Sequence, residues 1–235
     1  ESRPQVIIAD TVKGKGVSFM ESTAMDSDVA LYRFHSGAPD NLNYRRAAQE
    51  IMDKLTARDA SLRCESVTRN VSPPPPADAQ RLIPAYSRVL LAQAARNPKL
   101  VALDADLILD TGLIPFKEQY PNRFFECGIA EQDMVSVAGG MALSGLLPVV
   151  HSFACFLSAR PNEQIYNNAT EHRKIIYVGS LAGVVPGGPG HSHQAVRDIA
   201  SLSAIPGLTL MEPSCEAELE ILFDWCVNKH NESSY

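Results

Sequence analysis

The sequence lacks the features of a membrane protein, a secreted protein and a disulfide-linked domain. No apolar stretch approaches the roughly 20 residues that a transmembrane helix requires, and the opening ESRPQVIIADTVKGKG shows no secretory pattern. The five cysteines form no CxxC pair and make an odd total, which favours reduced thiols over a disulfide framework. These absences predict a cytoplasmic protein.

Positive charge is also scarce. The chain has 21 Lys and Arg residues against 27 Asp and Glu, a formal net charge of -6, which leaves no broad basic face for a nucleic-acid backbone. It contains neither a GxxxxGK[ST] phosphate loop nor a GxSxG nucleophile elbow. The sequence therefore predicts no nucleic-acid partner. It does not exclude small anionic ligands, because local loops rather than the net charge bind them.

Short apolar runs alternate with helical lengths from Leu82 onward. The runs are apolar on both faces, as strands are in a parallel sheet that helices cover. The predicted strands are Leu100–Leu103, Arg123–Glu126, Pro148–Val150, Ile175–Val178 and Leu208–Met211. The sequence thus predicts an α/β fold with a mostly parallel sheet, in which ligands bind at the carboxyl ends of the strands.

A proline-rich stretch divides the chain. Residues 63–80, which include Pro73–Pro76, are typical of an extended polyproline linker. Before it, Val6–Ala9 predict a buried strand and Asn43–Arg58 predict a helix with one apolar face. We therefore expect a domain boundary at the linker.

Glu131 follows the second predicted strand and opens a predicted helix, whose apolar residues recur at helical spacing from Met134 to Ala142. Its carboxylate is therefore expected at the ligand-binding end of the sheet. From this pattern alone, Glu131 is either an acid that stabilises a helix N-terminus or a partly buried carboxyl that shares a proton with a ligand nitrogen.

Aromatic and histidine residues follow the next two predicted strands. Phe153 and Phe156 lie about one helical turn apart and fit either core side chains or a flat wall for a ring. His191 and His193 stand in a glycine-rich loop, where they are either a metal pair or part of a polar loop without metal.

Two long strings, Glu126–Ile165 with GIAEQDMVSVAGG and Ile175–Ser214 with GGPGHSHQAVRDIA, resemble the pyrimidine-binding domain of the transketolase family. The opening VIIADTVKGKGVSFME resembles the end of that family's diphosphate-binding domain, and FHSGAPDNLNYRRAAQEI resembles the segment after it. The resemblance implies a thiamine diphosphate-binding fold of the pyrimidine type, truncated at both ends and without its last strand. It divides the chain into the end of a diphosphate-binding domain at 1–30, a connecting segment with the linker at 31–80, and the pyrimidine-binding domain at 81–235.

The resemblance also implies roles for individual residues. Glu131 matches the glutamate that hydrogen-bonds the pyrimidine ring of thiamine diphosphate, and Phe153 and Phe156 match aromatic positions that enclose this ring. Asp106 and Leu107 match a segment that touches the cofactor and the neighbouring subunit. His35 and His193 match histidines near the oxygens of the donor substrate. Arg88 matches an arginine that binds a sugar phosphate.

A transketolase-type enzyme transfers a two-carbon ketol unit from a ketose to an aldehyde. The resemblance implies thiamine diphosphate as cofactor, Mg²⁺ or Ca²⁺ held by ligands outside this chain, and a second subunit, in a homodimer, that completes the active site. The alternatives are an enzyme like 1-deoxyxylulose-phosphate synthase or a 2-oxo acid dehydrogenase, and a catalytically silent fragment that binds a partner.

The chain departs from the family pattern mainly on the substrate side. Pro189 stands where transketolases usually carry an aspartate that reads a substrate hydroxyl, and Leu181 replaces a usual histidine. Ile108–Leu109–Asp110 replaces a more polar run, and Ala159 stands at the family's third aromatic position. Because a polyol site needs hydrogen-bonding partners, these changes predict a substrate other than an ordinary pentose or hexose phosphate.

Overall fold

The computed structural model describes residues 12, 14–21, 39–58, 82–184 and 189–235. The chain divides into two compact units, at residues 1–75 and 76–235. The predicted strand at Val6–Ala9, the candidate residue His35 and the linker at 63–80 lie outside the described residues. The division into three segments therefore stays a prediction.

In the first unit, hydrogen bonds tie a helix to the turn that precedes it. Helix α1 spans Asn41–Arg58, close to the predicted bounds. Asp40 accepts a hydrogen bond from the Asn43 amide at 2.8 Å, which satisfies one of the free amides at the helix start. Glu50 accepts hydrogen bonds from the amide and the hydroxyl of Ser18, at 2.8 and 3.0 Å, and so anchors the turn at residues 14–20 to the helix.

The second unit alternates strands and helices, as the sequence predicted. Its strands are β1 (Leu100–Asp104), β2 (Phe124–Glu126), β3 (Leu147–Phe153), β4 (Ile176–Ser180), β5 (Leu208–Thr209) and β6 (Ser233–Ser234). Its helices are α2 (Leu82–Arg96), α3 (Ile108–Thr111), α4 (Ile114–Gln119), α5 (Glu131–Leu143), α6 (Ala154–Leu157), α7 (Asn162–Thr170), α8 (Asp198–Leu202) and α9 (Glu216–Asn228). No helix in the described part of the chain is long and apolar enough to cross a membrane.

These strands form one parallel sheet in the order β2-β1-β3-β4-β6-β5. Every residue of β1 and β3 is buried, which explains why Leu100–Leu103 and Leu147–Val150 are apolar on both faces. On one face, Leu103 and Val150 belong to a core that also contains Met134 of α5 and Ile165 of α7. The predicted α/β fold with a mostly parallel sheet is confirmed.

The end of the chain adds a strand that the sequence did not predict. β6 lies between β4 and β5, and both of its serines are buried. The Ser233 hydroxyl donates a hydrogen bond to the Arg173 carbonyl at 2.6 Å, which satisfies a polar side chain inside the sheet. The expectation that the pyrimidine-binding domain lacks its last strand stays a prediction. Two serines carry no apolar pattern, so sequence periodicity could not reveal them.

A polar network crosses the other side of the sheet. His151 on β3 is fully buried, and its Nδ1 donates to the Leu103 carbonyl at 2.9 Å. Its Nε2 is hydrogen-bonded to the hydroxyl of Tyr86 on α2. Burial lowers the pKa of His151 to about 4, because a charged imidazolium is unfavourable in this interior. The neutral ring links α2, β1 and β3.

Acidification is expected to destabilise the second unit through His151. The pKa of His151 is 6.5 in the unfolded chain and about 4 in the folded chain. At pH values between these two, the unfolded chain binds a proton that the folded chain excludes. This contribution to the free energy of unfolding is complete above pH 6.5 and is lost as the pH falls towards 4, by about 3 kcal/mol. Urea unfolding of wild type and of a His151→Gln variant between pH 7 and 4, followed by the fluorescence of the single tryptophan, Trp225, measures this loss as the difference between the two proteins, in which the contributions of other titrating groups cancel. A His151→Gln variant should lack it; an identical pH dependence in variant and wild type would contradict the assignment.

Candidate active site

Glu131 is the first residue of α5 and lies at the carboxyl end of the sheet, as the sequence predicted. Helix α5 is held in place by close packing against α7. Gly139 faces Asn168 so closely that an added Cβ would collide with its side-chain amide. Asn168 donates a hydrogen bond to the Val135 carbonyl at 3.1 Å. The helix that carries Glu131 therefore has a fixed position.

The Glu131 carboxylate is almost fully buried and is paired with Arg160. Its exposed fraction is 3%, and Nη1 of Arg160 lies 2.6 Å from its Oε1. The Ser152 hydroxyl donates a second, longer hydrogen bond at 3.4 Å. Because a buried carboxylate without a partner is costly, this guanidinium compensates its charge. Glu131 therefore combines a position at a helix N-terminus with burial and a charged partner.

Sequence reasoning did not predict Arg160 as a site residue. It lies within the string that resembles transketolases, four positions after Phe156, in the turn that follows α6. The four-residue spacing from Phe156 brings the Arg160 side chain over the Phe156 ring. Its pairing with Glu131, 29 positions away in the sequence, depends on the fold. That spacing was the one signal that could have suggested the arginine.

Phe153 and Phe156 form an aromatic surface that Arg160 links to Glu131. Phe153, the last residue of β3, is fully buried, and Phe156 on α6 is half-buried. Their rings stack with centroids 5.8 Å apart and an angle of 27° between the planes. The Arg160 guanidinium carbon lies 3.9 Å from the centroid of the Phe156 ring. Phe153 is thus a core residue, whereas part of the Phe156 ring remains at the surface, next to the Arg160 guanidinium.

His193 completes this group from the other side. It is the last residue of the short 3₁₀ turn His191–His193. Its ring makes edge-to-face contacts with the rings of Phe156 and Phe153, at centroid distances of 5.0 and 6.1 Å. Ser192 contributes a hydroxyl 2.9 Å from Nδ1 of His193. Burial, followed by the positive charge of Arg160, lowers the pKa of His193 below its usual range. A neutral imidazole is therefore favoured near pH 7.

We call the residues Glu131, Phe153, Phe156, Arg160 and His193 the Glu131 cluster. The described residues contain no group of three or more His, Cys, Asp or Glu side chains that could hold a metal ion.

The loop after β1 holds Asp106 and Leu107. Asp106 has a left-handed backbone with φ of 60°, and its amide donates to Oε1 of Glu126 at 2.8 Å. The Leu107 amide donates to Oδ2 of Asp104 at 2.6 Å, and the Leu107 side chain is buried. Burial raises the pKa of Asp104 to about 7, and the charge of Glu126 adds to this effect. Two carboxyls therefore fix the backbone of this loop.

The remaining candidates lie outside the Glu131 cluster. Arg88 on α2 forms an ion pair with Glu216 at 2.8 Å, and both side chains are more than half exposed. Leu181 directly follows β4 with φ of 59°, and Pro189 lies two residues before the 3₁₀ turn that carries His193. The loop between these two residues lies partly outside the described residues.

Residues 79–235 match the family model described as the transketolase, pyrimidine binding domain. The chain belongs to the transketolase family. A relative from Treponema pallidum named 1-deoxy-D-xylulose-5-phosphate synthase is 32% identical over 226 residues, which are 96% of this chain and 30% of the relative. The chain therefore spans less than a third of that relative's length.

Two solved structures are similar to this transketolase-family chain. One, a "Split gene transketolase, inactive beta4 tetramer", is 31% identical with a TM-score of 0.56, over 64% of this chain and 48% of the other. The transketolase from Leishmania mexicana is 19% identical with a TM-score of 0.62, over 82% of this chain and 32% of the other, and it supports the fold alone.

The transketolase family depends on thiamine diphosphate, and the Glu131 cluster fits the pyrimidine part of this cofactor. A buried carboxylate supplies an acceptor for a hydrogen bond from a protonated ring nitrogen, and the face of the half-buried Phe156 ring, where Arg160 lies, supplies a surface on which a flat ring can stack. Arg160 now makes both of these contacts.

Proposed function

We propose that this chain supplies the pyrimidine-binding half of a thiamine diphosphate site, in an enzyme that transfers a two-carbon unit between carbonyl compounds. The observation that carries the proposal is the buried Glu131 carboxylate, which Arg160 links to the aromatic group of Phe153, Phe156 and His193. When bound, thiamine diphosphate supplies the thiazolium ring, which accepts the electron pair released when a carbon–carbon bond next to a carbonyl breaks.

Each residue of the cluster has a distinct part in this proposal. Glu131 holds or releases a proton at the pyrimidine ring nitrogen, and its position at the start of a packed helix fixes the direction of that hydrogen bond. Phe153 and Phe156 exclude water from the acid, which strengthens its proton sharing. His193, as a neutral imidazole, donates or accepts a proton at an oxygen of the donor substrate.

The rest of the site is proposed to come from outside the described residues. A second copy of the enzyme supplies the diphosphate-binding side, with Mg²⁺ or Ca²⁺ held by ligands outside this chain. Asp106 and Leu107 contribute to the contact with the cofactor and that subunit, and His35 contributes near the donor's oxygens. The similar split-gene transketolase, named as an inactive tetramer, supports the expectation that this chain alone is inactive.

The transferred unit is proposed to be the hydroxyacetyl, or ketol, unit of a ketose. In that transfer one carbon–carbon bond breaks in the ketose and one forms to the aldehyde, with no net oxidation. A second candidate is an acetyl unit from a 2-oxo acid, whose carboxylate leaves as CO₂ when the carbon–carbon bond breaks, because a 1-deoxy product carries a methyl group in place of the first hydroxymethyl group. It is favoured by the name of the relatives and by Leu181 and Pro189, which replace partners of a substrate hydroxyl.

A product assay on the complete enzyme distinguishes these candidates. The enzyme receives glyceraldehyde 3-phosphate as acceptor and either xylulose 5-phosphate or pyruvate, the simplest methyl-bearing 2-oxo acid, as donor. Isotope-labelled acceptor that appears in a five-carbon ketose phosphate supports ketol transfer, and label in a 1-deoxyketose phosphate supports acetyl transfer. Absence of both products, and of ketol transfer from a non-phosphorylated ketose, with thiamine diphosphate and Mg²⁺ present, would overturn two-carbon transfer and favour a silent fragment.

Arg88 is not assigned a role in catalysis. Its resemblance-based role in binding a sugar phosphate stays a prediction, although in the structure its guanidinium pairs with Glu216. An Arg88→Ala change is expected to raise the KM for a phosphorylated substrate in steady-state kinetics, and an unchanged KM would contradict this role.

A further inference from the structure

Arg160 makes, within the chain, the two contacts that a flat nitrogen-containing ring would make in the Glu131 cluster. Its guanidinium is planar, donates to the Glu131 carboxylate at 2.6 Å and lies 3.9 Å from the centroid of the Phe156 ring. An aminopyrimidine also combines a planar face with nitrogen-bound hydrogens at its edge. The two groups therefore compete for the same carboxylate and the same aromatic face.

The position of Arg160 in the chain allows its side chain to leave without unfolding the site. Its backbone is fixed by a hydrogen bond from its amide to the Phe156 carbonyl at 2.9 Å. Its side chain, in contrast, is 41% exposed, whereas Glu131 is 3% exposed. Rotation of the side chain into solvent would rehydrate the guanidinium and leave the buried carboxylate for a new partner.

A vacated carboxylate needs such a partner. Among the described residues, Glu131 would keep the longer hydrogen bond from Ser152, at 3.4 Å, as a neutral contact. Because a buried charge without compensation is unfavourable, departure of Arg160 is coupled to the arrival of a group that donates to this carboxylate. Phe156 loses the guanidinium from its ring at the same time, while its contact with Phe153 stays.

We propose that Arg160 is a displaceable internal ligand, which occupies the pyrimidine position in the free chain and must leave Glu131 and Phe156 before an aminopyrimidine binds. The inference rests on the proposed function, in which Glu131 receives the pyrimidine. It predicts that the cofactor's apparent affinity is reduced by the fraction of molecules in which Arg160 closes the site. Removing the side chain should therefore strengthen binding of the ring.

The test uses calorimetric titration of the chain with two probes, thiamine and methylguanidinium. Arg160→Ala should bind thiamine at least tenfold more tightly than wild type, whereas Arg96→Ala, which removes an exposed arginine near the end of α2, should bind as wild type does. Methylguanidinium should bind Arg160→Ala and compete with thiamine. It should not bind the Arg160→Ala/Glu131→Gln double variant. Urea unfolding followed by Trp225 fluorescence checks that each variant is folded.

A second measurement needs no variant. Phenylglyoxal modifies free arginine side chains, and mass spectrometry of the peptide that contains Arg160 gives its rate in the wild-type chain. Thiamine should increase this rate, because a displaced guanidinium is more accessible. Protection of Arg160 by thiamine would overturn the proposal, since it would mean that the ring binds with the arginine in place.

The outcomes separate this inference from the proposed function. Thiamine binding to Arg160→Ala that is no tighter than to wild type would overturn displacement and leave the proposed function standing. Methylguanidinium binding that depends on Glu131, without thiamine binding to any variant, would overturn the proposed function while supporting Arg160 as the occupant of the cluster. Failure of methylguanidinium to bind a folded Arg160→Ala chain would overturn the internal-ligand proposal.

Discussion

Replacement of Glu131 by glutamine is expected to lower kcat of the complete enzyme by about 100- to 10,000-fold, the range of general acid–base contributions. Glutamine keeps the size of the side chain and an oxygen that accepts a hydrogen bond from Arg160, but it cannot exchange a proton with a ring nitrogen. Thiamine diphosphate should also bind more weakly, because a neutral amide is a poorer partner than a carboxylate. Steady-state kinetics and calorimetric titration with Mg²⁺ present measure the two effects.

Asp133→Asn is the matched control for this variant. Asp133 lies in the same first turn of α5, but its side chain is exposed. Both substitutions remove one negative charge from the same helix terminus, so a loss caused by the helix dipole alone would be similar in the two variants. A large loss in Glu131→Gln alone identifies the buried position as the cause. A kcat within threefold of wild type in Glu131→Gln would contradict its proposed role.

The sheet was predictable because its central strands carry a strong local signal. Leu100–Leu103 of β1 and Leu147–Val150 of β3 are apolar on both faces, which is the pattern of buried parallel strands, and helix α5 has an acidic first turn followed by apolar residues at helical spacing. The strands at the far edge of the sheet were harder to recognise. β5 has only two residues instead of the predicted four, and β6 consists of two serines.

The candidate site was predictable residue by residue but not as a set of contacts. The pattern and the resemblance together named Glu131, Phe153, Phe156 and His193; in the structure the last three contact one another, and Arg160 links them to Glu131. The sequence could not show that Arg160 fills the space between the acid and the ring, because that contact joins the start of α5 to the turn after α6. Such pairing depends on the relative positions of helices, which no local pattern encodes.

Asp104 is a second buried carboxyl that the sequence did not identify as unusual. It is the last residue of β1, with an exposed fraction of 0%, and it accepts hydrogen bonds from the Leu107 amide and the Thr111 hydroxyl, at 2.6 and 3.0 Å. Burial and the neighbouring charge of Glu126 raise its pKa from 3.8 to about 7. The folded chain therefore retains a proton on Asp104 at pH values where the unfolded chain has lost it.

Asparagine can replace the protonated form of Asp104 without loss of a hydrogen bond. Its carbonyl oxygen can accept from the Leu107 amide, and its NH₂ group can donate to Oγ1 of Thr111. That hydroxyl can then donate to the Leu107 carbonyl, which lies 3.1 Å away. Because this arrangement needs no proton uptake, its stability should not depend on pH.

Asp104→Asn is therefore expected to become more stable than wild type as the pH rises. The wild-type contribution from Asp104 is complete below pH 3.8 and is lost as the pH rises through about 7, so the difference in free energy of unfolding should grow by about 4 kcal/mol in favour of the variant between pH 4 and pH 8. The opposite loss from His151 on acidification is the same in both proteins and cancels in this difference. Urea unfolding followed by Trp225 fluorescence gives both curves, and Asp133→Asn should show no such growth. A constant difference between wild type and Asp104→Asn across this range would mean that Asp104 is ionised in the folded chain, with Thr111 and Leu107 as sufficient compensation for its charge.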